Sequence, residues 1–134
     1  MRLSILAVGI AVAAVVFTSM FFDEGEVVTL VTKNVDGAAF DTQLWIVQLD
    51  GHLYLRAGSS HARWLARLRE NPLVTLKRGD EKLPFKAIPQ DDPATLNAVN
   101  ALMAEKYGYA DRTLAYIVDR KHSVAILLEP RPGA

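Results

Sequence analysis

The side chains best suited to chemistry sit together in one short stretch: Arg56, Ser59, Ser60, His61 and Arg63. They fall where a strand should end and a helix should begin. The N–H groups of a first helical turn lack intrahelical partners and carry the positive end of the helix dipole. Two hydroxyls, a histidine and two guanidiniums beside such a turn make a reasonable phosphate or carboxylate site. The same residues also read more plainly, as a helix cap with solvated arginines on an exposed face. The residue types leave both readings open.

The elements that must position this loop run from Leu44 to Leu76. Leu44, Ile46 and the run to Leu49 form one buried strand. Asp50-Gly51 is a two-residue hairpin signal, since both residues tolerate positive φ. Leu53-Tyr54-Leu55-Arg56 returns. Ala57-Gly58-Ser59-Ser60 ends the strand and offers Ser59 or Ser60 as a helix N-cap. The helix, about Ala62 to Glu70, carries Trp64, Leu65 and Leu68 at helical spacing on its buried face. Arg63 and Arg67, four apart, share a solvated face. Asn71-Pro72 stops the helix, and Leu73, Val74 and Leu76 begin the next strand.

Around this centre the chain divides into a segment of residues 1–22 and a domain of residues 23–134. After Arg2, the run from Leu3 to Phe22 is uncharged; about 20 apolar residues span a hydrocarbon core of about 30 Å. It reads as a single-pass membrane anchor in contact with the bilayer through residues 3–22, with a cleaved signal sequence as the alternative. Arg2 and the amino terminus favour an inside N-terminus, which places the domain on the extracytoplasmic side.

Val27 to Thr32 is a β-branched first strand, Asn34-Val35-Asp36-Gly37 a turn, and Phe40 to Leu49 the second strand. Trp45 is read as core or dimer-face packing. Leu73 to Lys77 and Lys82 to Ile88 are strands four and five, the latter expected at a sheet edge because Pro84 and Pro89 cannot donate to a ladder. Asp92 as N-cap and Pro93 at the first helical position start a helix to about Tyr107, which Gly108 ends. There Lys106 complements the dipole and Tyr107 packs. Asp111 to Val118 is a further short helix, and Ser123 to Leu128 closes the sheet. Six strands dominated by antiparallel hairpins suit a small closed barrel with helices at its openings.

Several function classes are set aside. The 15 basic and 15 acidic side chains balance, which does not point to nucleic acid. The absence of cysteine removes disulfides, thiolate metal sites and a thiol nucleophile. His52, His61 and His122 show no metal-ligand spacing, so no metal site is expected. No Gly-rich nucleotide loop and no serine-hydrolase elbow is present.

The string Trp64-x-x-x-Leu68-x-x-Asn71-Pro72-x-Val74-x-Leu76, preceded by a hairpin ending in Tyr54-Leu55-Arg56, resembles the split β-barrel superfamily. That superfamily includes pyridoxamine 5′-phosphate oxidase-like flavoproteins and deazaflavin-dependent nitroreductases. Asp36-Gly37, Trp45-Ile46-Val47 and Leu127-Leu128-Glu129-Pro130 add to the likeness, which spans Val27 to Pro130 and looks like an uncharacterised branch. The resemblance implies a mainly β (α+β) fold: a six-stranded antiparallel split β-barrel with two or three short helices. It also implies a homodimer with FMN or a deazaflavin at the subunit interface, in an oxidoreductase-like protein of unknown substrate. Arg56, Ser59, Ser60 and Arg63 are then the candidates for the cofactor phosphate, with Trp64 packing the helix onto the barrel. The alternative is a non-enzymatic, membrane-tethered binding or dimerisation module that uses the same anion pocket.

Overall fold

Asp50 and Gly51 reverse the chain with φ of 53° and 81°, the pair of positive values that a two-residue hairpin needs. The computed structural model describes residues 26–115 and 122–132. The strands are β1 (Val27–Lys33), β2 (Ala39–Leu49), β3 (His52–Ala57), β4 (Leu73–Arg78), β5 (Glu81–Gln90) and β6 (Val124–Pro130). Two helices, α1 (Arg63–Glu70) and α2 (Pro93–Ala115), are inserted after β3 and β5. All neighbouring strands are antiparallel, and the sheet closes in the order β1-β2-β3-β6-β5-β4. The anchor expected at residues 3–22 lies outside the described residues, as does the expected helical stretch from 116 to 118. Among the described residues no helix is long and apolar enough to cross a membrane.

Strand alternation splits the apolar residues into two cores. Val28, Leu30, Ile46, Leu55, Leu76, Ile126 and Leu128 point into the barrel. Trp64, Leu65 and Leu68 of α1 join them, so α1 plugs one mouth. Burying each of these helix side chains stabilises by about 1.5–3 kcal/mol. Outside the barrel, Val47 and Ala125 meet Val99, Met103 and Tyr107 of α2, with Trp45 and Tyr54 at the margin.

Three local expectations are corrected. The edge position expected for the fifth strand is overturned, because β5 pairs with both β4 and β6. Its prolines are tolerated because each missing donor falls past the end of a neighbouring strand. The Pro84 carbonyl faces the β6 side, where it accepts from the Arg131 N–H after the last β5–β6 pair at Phe85–Pro130. Pro89 faces the β4 side with Ala87, whose N–H already reaches past β4 to the Pro72 carbonyl. Second, α1 is capped by Ala62 with no side-chain bond; the Ser59 Oγ instead accepts from the His61 N–H at 3.0 Å, one turn too early to cap. Third, Arg67 is not simply solvated: its Nε donates to the buried Thr32 Oγ1 at 2.8 Å, and its guanidinium lies 4.3 Å from the Phe40 ring centroid.

The α2 start is as the sequence suggests: Asp92 accepts from the Ala94 N–H at 3.1 Å and the Thr95 hydroxyl at 3.0 Å. Gly108, at φ 50° and ψ −117°, ends the first helical part of α2 as the sequence suggests, and a second part follows across the kink. On a straight helix Asn100 and Asp111 would stand about 16 Å apart. Both bind one guanidinium, so the break folds the second part of α2 back on the first.

Candidate functional site

Ser59, Ser60, His61 and Arg63 are exposed on the loop that carries β3 into α1. Ser59 turns the loop through its bond to His61, while the side chains of Ser60 and Arg63 make no hydrogen bond among the described residues. Arg63 opens α1 with no acidic residue in the first turn to neutralise it. This is the electrostatic arrangement that accepts a phosphate.

Arg56 and Trp64 are placed differently. Trp64 turns into the barrel core and is 7% exposed. Arg56 ends β3 on its outer face and is buried under α2. Its Nη2 donates to Asp111 Oδ1 at 2.7 Å and its Nη1 to Asn100 Oδ1 at 3.0 Å. Its guanidinium carbon also lies 6.0 Å from the Trp45 ring. The five residues expected around the cofactor phosphate therefore separate by role: Ser59 and Ser60 exposed on the loop, Arg63 exposed at the start of α1, Trp64 beneath it, and Arg56 holding α2. Trp45 stacks on Tyr107 with centroids 4.3 Å apart and planes 8° from parallel, and so belongs to the outer core.

A second constellation lies at the opposite mouth. Glu26, just ahead of β1, receives Arg78 through Nε at 2.8 Å and Nη2 at 3.2 Å, and Lys106 at 2.6 Å. Lys106 also donates to the Ile46 carbonyl at 2.8 Å. The Tyr107 hydroxyl donates to the Glu26 carbonyl at 2.7 Å and accepts from the Ile46 N–H at 2.9 Å. Burial pushes the Tyr107 phenol up to about 12, with the Glu26 carboxylate adding to the rise. It stays neutral at ordinary pH and acts as a hydrogen-bond bridge, not a base. Reading Lys106 and Tyr107 as helix termination thus missed their reach to β1 and β2. Nothing local in the sequence pairs residues separated by 52 and 80 positions.

The Arg78 hydrogen bond, aided by Lys106, holds the Glu26 carboxyl below its ordinary value of 4.5 against the opposing effect of burial. Arg78 is raised in turn by Glu26. A carboxylate with a depressed folded pKa stabilises fully above its unfolded pKa and loses that contribution as pH falls through the folded value. Glu26→Gln is therefore expected to lower stability by about 1 kcal/mol at pH 7, with the difference from wild type shrinking as pH falls below the ordinary value of 4.5 and through the lowered folded one. Urea denaturation of both proteins across that range checks it; a difference independent of pH would contradict the assignment.

Among the described residues no group of three or more His, Asp or Glu is placed to hold a metal ion. No protein-family model and no curated protein matches the chain. Solved structures do. HutZ, a heme storage protein of Vibrio cholerae, aligns with a TM-score of 0.64 at 20% identity, over 87% of this chain and 89% of its own. A Listeria innocua protein assigned as a pyridoxamine 5′-phosphate oxidase aligns at 0.62 and 13% identity, over 87% and 91%. An F420-H2 dependent reductase, FDR-A, aligns at 0.60 and 23% identity, over 75% and 92%. The closed order of six antiparallel strands, the helix plugging one mouth and these alignments together give the chain the split β-barrel fold of the pyridoxamine 5′-phosphate oxidase-like proteins.

Proposed function

We propose that the chain is a membrane-anchored, flavin- or deazaflavin-binding oxidoreductase-like protein that works as a homodimer. The observation that carries this reading is the exposed trio Ser59, Ser60 and Arg63 at the start of α1, on a fold shared with an F420-dependent reductase. The donor set fits a phosphate: two hydroxyls, one guanidinium and the free N–H groups of a helical turn. Arg56 and Trp64 contribute by fixing α2 and α1 around the loop. Bound there, FMN or a deazaflavin would supply the redox chemistry, and the protein's own residues would anchor its phosphate and exclude water. The loop of one protomer offers the phosphate end alone, so the ring system is assigned to the interface with a second copy. Residues 3–22 would tie the protein to the bilayer, with the barrel on the extracytoplasmic side.

An absorption and fluorescence spectrum of the full chain, followed by titration with FMN and with a deazaflavin, tests this. We expect micromolar binding of one of them, weakened about tenfold by Arg63→Ala and further by adding Ser60→Ala. Failure to bind either would remove the redox reading. One observation then favours the alternative, a non-enzymatic membrane-tethered binding module: Arg56, the most buried cation of the expected pocket, is already neutralised by Asp111.

A further inference from the structure

Arg78 and Lys106 converge at the mouth that α1 leaves open. β3 ends and β4 begins at the α1 side, so His52, Leu53 and Arg78 stand at the other end of the barrel. Gln48, Leu53 and Arg78 continue the inward-facing rows of β2, β3 and β4 there, and α2 brings Leu102, Glu105 and Lys106 alongside. Together with Val47 they line a cavity of about 260 Å³. Small-molecule pockets usually measure about 300–1,000 Å³. This one is therefore sized for a headgroup and not for a flavin.

We infer that this mouth is a binding site for a small phosphate- or carboxylate-bearing ligand, held by Arg78 and Lys106, and that Glu26 is its built-in competitor. Four observations support this. The guanidinium already grips a carboxylate through two donors, the geometry that also suits phosphate. Two cations of the cavity wall share the single Glu26 carboxylate, so each is only partly neutralised by it; the acidic residues nearby, Glu105 on the wall and Glu81 beside Arg78, are exposed and screened. Glu26 precedes β1, so its side chain can swing away without breaking a ladder bond while Tyr107 keeps hold of its carbonyl. Finally, Glu26 is 29% exposed, so water already reaches the carboxylate that must leave. Exchange of one anion for another is then close to balanced, and Val47, Leu53 and Leu102 favour a ligand with an apolar portion beside its charge.

The test is titration of the full chain in a zwitterionic detergent with sn-glycerol 3-phosphate and with dihexanoyl-phosphatidylglycerol, followed by the amide resonances of Gln48 and Leu53. Saturable shifts are expected at those residues. Glu26→Gln should tighten binding about tenfold, because a ligand's apparent affinity is reduced by the fraction of sites occupied by the competitor. Arg78→Gln and Lys106→Met should each weaken binding by about tenfold or more. Tighter binding of the lipid assigns a membrane source to the ligand; equal binding assigns a soluble phosphate ester. A purely structural ion cluster predicts no gain from Glu26→Gln. The inference is overturned if neither probe saturates on the wild type or on Glu26→Gln, or if both cation variants bind as well as wild type.

Discussion

Asp111→Ala is expected to destabilise the fold by about 3–5 kcal/mol, because it removes a buried carboxylate that meets the buried Arg56 guanidinium. Arg56 and Asp111 are 4% and 8% exposed at their side chains and meet at 2.7 Å. The pair joins the end of β3 to the part of α2 beyond the Gly108 break. Its loss frees that part of the helix, so the expected signature in urea denaturation is a lowered midpoint together with early loss of protection around residues 108–111. Arg56→Met combined with Asp111→Leu removes both charges together and should recover most of the loss, since a buried ion pair is often matched by apolar side chains of similar volume. If Asp111→Ala stays within about 1 kcal/mol of wild type, the pair is not the clasp described here.

The same double variant decides what Arg56 does for a ligand. An arginine that touches the cofactor phosphate cannot be replaced by methionine without loss of affinity. One that only holds α2 in place can, provided that Asp111 is neutralised with it. Retained FMN or deazaflavin binding in Arg56→Met/Asp111→Leu, with loss in Arg63→Ala, would leave the phosphate to the exposed loop alone.

How much of this was legible in the chain follows from distance along it. Asp50-Gly51, Asp92-Pro93 and Gly108 act on their own backbone, so residue type alone announces the hairpin, the helix start and the break. Inward and outward rows follow from the period of two in the strands, which is why Leu44 and Ile46 could be read as one buried strand. Pro84 and Pro89 misled because an edge position is only one way to spare a donor; staggered strand ends are another, and stagger is a property of the closed barrel. The partners of Arg56 and Glu26 were not legible. Arg56 reaches Asp111 across 55 positions and Glu26 reaches Lys106 across 80, and only the closed sheet with α2 laid over it makes them neighbours. A solvated arginine and a neutralised one look alike in sequence, and so the ion pair that holds Arg56 under α2 could not be read from it.

Trp64→Ala is expected to lower stability by about 3–5 kcal/mol, the usual result of emptying a large aromatic site in a packed core. Trp64 is 7% exposed and enters the barrel interior with Leu65 and Leu68, so the plug is lost along with the contact. Trp64→Phe keeps a ring in the mouth and should cost less than half as much, with urea denaturation as the measure for both. The two variants also separate support from direct contact. If Trp64 only seats α1, cofactor affinity should follow stability: nearly intact in Trp64→Phe and weakened in Trp64→Ala even at temperatures where that variant is folded, because the first turn carrying Arg63 is no longer fixed. If instead Trp64 touches the cofactor, Trp64→Phe should lose affinity well out of proportion to its small loss of stability. The burial of the indole among barrel residues argues for the first outcome. Under that outcome α1 is a rigid mount for the loop, and the ligand-facing surface comprises only the residues from Ser59 to Arg63.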